Sequence, residues 1–292
     1  MKYKKLVGLT IIFIGIIIFT LPFTKNVYND FRMKFVEKNW IDYTNSMSKE
    51  SKKKLVEDAD KYNATLPDNQ GESFVDPFEQ ENLKIKSPLS GILEDQSIGI
   101  IKIPKIDLAM PIYMDATPRH LEIGAAVVNG TSFPTGGNGT RSVIAAHRGF
   151  YNFEHFLHID SLGSGDRIYL DILGNLLIYE VYDKEVIMPY ENDKIAKIEN
   201  EDILTLLTCH PYPISNKRLL VNCKRVNIDN NQNNNQNNNQ SLTIDKVSNE
   251  KVYTVVNIQK KGFVIVSIIG IIFTCFIGFK IIKEIIRLKN NR

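Results

Sequence analysis

Cysteine is scarce in this chain, with three in 292 residues, and Cys209, Cys223 and Cys275 are irregularly spaced. That is too few for a disulfide framework and the wrong spacing for a zinc site. An excess of charge of one sign is also missing: 36 Lys and Arg against 33 Asp and Glu leave a net charge of +3. The lysines are spread widely, and no basic stripe interleaved with aromatics appears, so nucleic acid is not an expected partner. There is no dinucleotide or phosphate-loop glycine pattern and no internal repeat. His155 and His158 stand three apart on an expected helix without an evident third ligand, and are read as solvated. No metal and no other cofactor is expected.

What is present in quantity is apolar length. Residues 6–23 form an uncharged run of 18, preceded by Lys2, Lys4 and Lys5, and residues 263–279 form a second run of 17, extended by Ile281 and Ile282. Both suit a bilayer span, which takes roughly 20 apolar residues. A cleaved signal peptide is the alternative for the first run. No small-x-small cleavage site follows it, however, and it is longer than a usual signal core. Lys280, Lys283, Arg287, Lys289 and Arg292 follow the second run and outweigh Lys260 and Lys261 before it. By the positive-inside rule both termini are expected in the cytoplasm, with residues 24–262 outside.

Between the spans the pattern changes three times. Val27, Phe31 and Phe35, then Leu55, Ala59 and Tyr62, recur at helical spacing near Trp40 and Ile41, and this stripe is expected to pack on its own domain. Residues 65–90 carry turn chemistry in Leu66-Pro67-Asp68-Asn69-Gln70-Gly71 and Asp76-Pro77-Phe78. From residue 98 on, short β-branched runs alternate with Gly, Pro, Asn and Asp. Strands are expected at 98–106, 109–114, 125–131, 142–147, 166–173, 176–188, 202–209 and 218–227, with short helices at 117–121, 153–162 and 193–198. Eight short strands with few helices indicate a mainly β chain closed into a barrel. Residues 227–240 are almost wholly Asn and Gln, which reads as a flexible tether, with an aggregation-prone tract as the alternative.

The chemistry concentrates in Thr205-Leu206-Leu207-Thr208-Cys209-His210-Pro211-Tyr212-Pro213, followed by Lys217-Arg218-Leu219. An apolar strand ends in a thiol, and after a proline-rich turn the next strand opens with an arginine. A nearby cation raises the thiolate fraction of a cysteine, the nucleophilic form. The guanidinium fork of Arg218 could hold a carbonyl and its oxyanion, although a strand-edge charge is the plainer reading. His147 ends the run Ser142-Val143-Ile144-Ala145-Ala146 and could serve as acid/base, or be structural. His210 falls on the strand face opposite Cys209 and is a poorer base. Cys223 reads as a core thiol and Cys275 as an apolar residue of a span. A Cys209–Cys223 disulfide would extinguish the nucleophile.

These residues resemble the sortases, cysteine transpeptidases of the outer face of Gram-positive membranes. The resemblance covers about residues 98–228. It rests on Thr205-Leu206-Leu207-Thr208-Cys209, His147-Arg148-Gly149 and Arg218, with Ile103-Pro104-Lys105-Ile106, Pro111-Ile112-Tyr113 and Gly130-Thr131-Ser132-Phe133-Pro134 upstream. It implies an eight-stranded sortase-type barrel in which His147, Cys209 and Arg218 are catalytic. Asp76-Pro77-Phe78 and the second span resemble the pilus-building class C, in which such a tripeptide forms a lid over the cleft. The class often has Thr-Pro-Tyr-Gly after the cysteine, where this chain has His210-Pro211-Tyr212-Pro213.

The resulting organisation is a cytoplasmic tip at 1–5, a transmembrane helix at 6–23, an N-terminal helical region at 24–64 and a lid loop at 65–90. The catalytic barrel follows at 91–228, then an Asn/Gln-rich tether at 229–260, a transmembrane helix at 261–282 and a basic cytoplasmic tail at 283–292. The resemblance implies cleavage of a Leu-Pro-x-Thr-Gly-like sorting signal of a pilin or surface protein, and transfer to an amine. Class C implies a pilin lysine as that amine. A cell-wall precursor amine, served by a housekeeping sortase, is the alternative within the family, and a non-catalytic surface-binding module is the alternative outside it.

Overall fold

The β-branched runs form eight strands, at β1 (Ser97–Ile103), β2 (Leu108–Tyr113), β3 (Ala125–Val127), β4 (Thr140–Ala145), β5 (Arg167–Ile172), β6 (Asn175–Ile187), β7 (Asp202–His210) and β8 (Lys217–Arg225). In the computed structural model, which describes residues 3–67, 74, 76–79, 96–149, 154–226 and 255–290, they close into a barrel in the order β1-β2-β3-β4-β7-β8-β6-β5. The β2–β3 and β4–β7 pairs are parallel, and the other pairs are antiparallel. Residues 227–254, residues 68–73, 75 and 80–90 of the expected lid loop, and residues 91–95 at the start of the expected barrel domain lie outside the described residues, so the expected Asn/Gln tether is not described.

Local chemistry explains most of the boundaries. The turn from β5 to β6 places Leu173 at φ 51° and Gly174 at φ 86°, the pair of positive values that a two-residue hairpin of matching twist requires. The strand expected at 125–131 stops at Val127, because Gly130 turns at φ 83° and Thr131 N–H bonds back to Val128 O. A short helix α3 (Pro118–Ile123) occupies the expected place, with the Thr117 hydroxyl capping His120 N–H at 3.2 Å. The helix expected over 153–162 is only a 3-10 turn at Ile159–Ser161. His155 sits at φ 37°, outside the helical region, and contrary to expectation it is buried.

The strands are apolar on both faces. Ile144, Leu204, Leu206, Leu219, Val221 and Cys223 belong to the main core, whereas Val143, Ala145, Leu207 and Leu220 lie out of phase with them and form a second cluster with Phe74 and Phe78. Each fully buried Leu or Ile contributes about 2 kcal/mol of transfer free energy.

The chain divides into two units, Met33–Tyr253 and Met1–Arg32 with Thr254–Arg292. Helix α1 (Lys4–Ser46) runs on unbroken from the first apolar run, and α2 (Lys49–Thr65) starts at the Ser48 cap, whose hydroxyl accepts from Ser51 N–H at 3.0 Å. Within the first unit, Trp40, Ile41, Leu55, Ala59 and Tyr62 pack on the barrel core. Phe35 stays exposed, so the expected stripe buries only its C-terminal part. Asn63 clamps Phe133 on both backbone groups, accepting from its N–H at 2.7 Å and donating to its carbonyl at 3.0 Å.

In the second unit, the N-terminal part of α1 and helix α4 (Val255–Asn290) lie antiparallel, with Lys5 pairing Glu284 at 3.3 Å and the Phe23 and Phe263 rings 5.7 Å apart. Gly270 is needed here, because a Cβ would run into the Thr20 side chain. Residues 4–25 and 261–290 are long and apolar enough to cross a membrane, which fits membrane anchoring.

Candidate active site

Three strands set one face in tiers, two of them polar with an apolar one between. The β7–β8 register pairs Thr205 with Asn222, Leu207 with Leu220, and Cys209 with Arg218. In the parallel β4–β7 ladder Ala145 faces Leu207, so two residues further His147 comes level with Cys209. His147 itself lies just past the end of β4 rather than inside the strand. The extension is held by Ala146 N–H bonding Leu207 O at 3.2 Å, the Thr208 hydroxyl donating to Ala146 O at 2.8 Å, and Phe156 N–H bonding His147 O at 3.0 Å. The expected nucleophile, acid/base and cation therefore come to one end of one face.

Arg218 is 3% exposed, and its donors are engaged on two sides. Its Nε and Nη2 form a fork on the Asp76 carboxylate at 2.6 and 3.2 Å, while Nη1 donates to Ser215 O and Lys217 O. Such a two-point arginine–carboxylate contact fixes geometry as well as charge. Asp76 also turns its own segment, accepting from Phe78 N–H at 2.8 Å. The Phe78 ring lies 5.6 Å from the His147 ring and 5.3 Å from the Arg218 guanidinium, with Pro77 buried beside it. The Asp76-Pro77-Phe78 segment thus covers the polar tier, and Glu79 stands 3.7 Å from Arg218 at its edge.

The covered site favours uncharged groups. Burial pushes the Cys209 thiol pKa up, and Asp76 adds to the rise. Arg218, Arg148 and a hydrogen bond with Ser215 work in the opposite direction without overcoming it. Burial lowers the His147 pKa, against a smaller opposite effect of Glu122. At neutral pH the closed arrangement therefore holds a thiol and a neutral imidazole. Cys223, buried in the barrel core, has its pKa raised strongly by burial alone and stays a thiol, free of any disulfide.

Sequence reasoning did not find the groups behind the site. Arg148, next to His147, donates to the Asp160 carboxylate at 2.6 Å and hydrogen-bonds the His210 ring. Parity separated His210 from Cys209, but nothing local announced Arg148 and Asp160 as its neighbours. The lower tier was also unannounced. Arg141, 5% exposed, donates to Thr205 Oγ1 at 3.0 Å, Asn222 Oδ1 at 2.8 Å and Ala196 O at 2.9 Å.

Comparison with known proteins finds relatives of this chain. Residues 101–226 match the family described as the Sortase domain. Sortase C of Streptococcus pneumoniae, a protein studied for its pilin substrate specificity, is 34% identical, with a TM-score of 0.61 over 65% of this chain and 96% of that one. A pilus-related sortase C of Group B Streptococcus is 30% identical, with a TM-score of 0.60 over 65% of this chain and 96% of that one. Sortase A of Bacillus anthracis is 31% identical over 126 residues, 43% of this chain, and the match spans 58% of that enzyme's length.

Proposed function

This chain belongs to the sortase family, and on that premise we propose that it is a membrane-anchored cysteine transpeptidase that assembles pilins. Its substrate is a protein carrying a Leu-Pro-x-Thr-Gly-like sorting signal. The Cys209 thiolate attacks the Thr–Gly carbonyl carbon, and the Arg218 fork stabilises the oxyanion that develops. His147, which takes up the proton that Cys209 releases when the lid opens, gives it to the departing glycine amine as the C–N bond breaks, leaving a thioester on Cys209. An incoming amine attacks that thioester, His147 takes the amine's proton, and the Cys209 sulfur leaves with a new amide formed. The amine is a pilin lysine.

The observation that carries this reading is the Cys209–Arg218 cross-strand pair beside His147, with the arginine held by a carboxylate from outside the barrel strands. Stripping the carboxylate from a buried arginine costs about 3–5 kcal/mol, so the lid opens when a substrate carbonyl can take the fork. Removing Asp76 also removes a negative charge that opposes thiolate formation at Cys209. Opening and activation are thereby coupled. The pilus assignment is supported by the likeness to sortase C proteins and by the lid itself. The two apolar helices anchor the chain with both termini in the cytoplasm and the barrel outside, where a shared membrane surface raises the effective concentration of an anchored substrate.

Mass spectrometry on the full chain in detergent, offered a sorting peptide with both a lysine-bearing pilin segment and a cell-wall cross-bridge amine, tests the proposal. A thioester on Cys209 followed by an isopeptide to lysine is expected. Transfer to the wall amine alone makes it an anchoring sortase, and release of free acid despite abundant amine makes it a peptidase. No thioester at all leaves only a binding role.

A further inference from the structure

The residue after each reacting side chain bonds its counterpart. Arg148 follows His147, His210 follows Cys209, and the Arg148 Nη1 group contacts His210 Nδ1. A guanidinium has only donors, so Nδ1 must accept, and the single proton of a neutral His210 sits on Nε2. Side chains alternate along β7, so this contact lies on the face away from Cys209. The Arg148 side chain is buried and anchored, donating at 2.6 Å to Asp160, whose carbonyl in turn accepts from Lys184 Nζ at 2.7 Å. The loop carrying His147 is thus tied to the end of β7 one residue beyond Cys209.

We propose that the Arg148–His210 hydrogen bond is a positioning clamp for acyl transfer, setting the spacing of His147 and Cys209 from behind and letting go when His210 takes up a proton. The proposal rests on His147 and Cys209 acting as acid and nucleophile. The charged groups facing His210 are Arg148 from the loop after β4, Asp160 from the 3-10 turn and Lys217 from β8, with Lys184 of β6 behind Asp160. Burial, Arg148 and Lys217 hold the His210 pKa below its usual value, against Asp160. The clamp is therefore intact at neutral pH and fails as pH falls through that lowered pKa. Protonation places a hydrogen on Nδ1, facing an arginine that cannot accept it.

The test measures the rate of Cys209 thioester formation across pH 5–8 on the full chain in detergent, with a sorting peptide. In the wild type the acid limb should steepen toward a two-proton dependence, one proton from the reacting pair and one from His210. His210→Ala should lower the plateau by about tenfold to a hundredfold, the scale of a small misplacement of reacting groups. In His210→Asn the amide oxygen can accept from Arg148 but does not titrate. That variant should restore most of the plateau with a one-proton limb. A merely structural role would lower rate and melting temperature together and leave the proton dependence alone. An unchanged plateau in His210→Ala, or a two-proton limb in His210→Asn, overturns the clamp. Alkylation of Cys209 by iodoacetamide needs no peptide and separates the two failures. If its pH midpoint shifts in His210→Ala but returns in His210→Asn while no thioester forms, the clamp stands and the transpeptidase reading falls. If all three chains alkylate alike, the clamp falls.

Discussion

Two buried arginines lie on the same face of the β4–β7–β8 sheet, one on β4 and one on β8, and they are satisfied in opposite ways. Arg141 is held by Thr205, Asn222 and Ala196, groups of the barrel and its loop that stay in place as long as the barrel is folded. Arg218 is held by Asp76, which comes from 142 residues away on a segment outside the barrel strands. An arginine whose partners belong to its own sheet is a structural rivet. One whose partner arrives on a separate segment can be handed to a substrate, because an incoming carbonyl takes over the carboxylate's hydrogen bonds and the oxyanion that develops on it restores the counter-charge. Burial alone does not distinguish the two, since Arg141 and Arg218 are 5% and 3% exposed. The origin of the acceptor does.

Perturbing the upper tier should have the largest chemical effects. Cys209→Ala should abolish the thioester, read as loss of the acyl-enzyme mass; a residual adduct of the same mass would move the nucleophile elsewhere. Arg218→Lys keeps a charge but loses the planar fork, and kcat should fall by about 10²–10³-fold, the usual range for losing an oxyanion donor. If the Arg218→Lys variant instead keeps wild-type kcat, the two arginines are alike in role and the comparison breaks.

Opening the lid should act next, and in the other direction. Asp76→Ala with Phe78→Ala should raise the rate of Cys209 alkylation at pH 7 by about tenfold. The sign follows from charge: Asp76 raises the Cys209 pKa, so removing it shifts the midpoint of the alkylation–pH curve downward. Unchanged labelling in a folded variant would remove the lid from the mechanism. Arg141→Met should change the chemistry least. It leaves Thr205, Asn222 and the Ala196 carbonyl short of a donor, so stability should drop by about 3 kcal/mol in denaturant unfolding while kcat of the folded fraction stays within about twofold. A large kcat loss at full stability would make the lower tier part of the site.

The eight strands were legible because each is a short β-branched run between turn formers, a signal that remains even where both faces of a strand are buried. Errors fell where the fold overrode local pattern. The run 125–131 looked continuous, but Asn129-Gly130 breaks it after Val127. The stretch 153–162 had helical spacing, yet His155 adopts a left-handed conformation and is buried in the protein. Phe35 carries the helical stripe but meets no barrel surface.

What the sequence by itself determined is what neighbours in the chain can settle: two apolar runs, a barrel's worth of strands, and Cys209 facing Arg218 across one turn. Tertiary structure decided the rest. It brought His147 level with Cys209 through a parallel pairing of distant strands, docked Asp76 on Arg218, and bonded Arg148 to His210. A hairpin partner is fixed by a few residues of turn, whereas the Arg148–His210 and Asp76–Arg218 contacts close loops of 62 and 142 residues. Their geometry exists only once the whole barrel has shut.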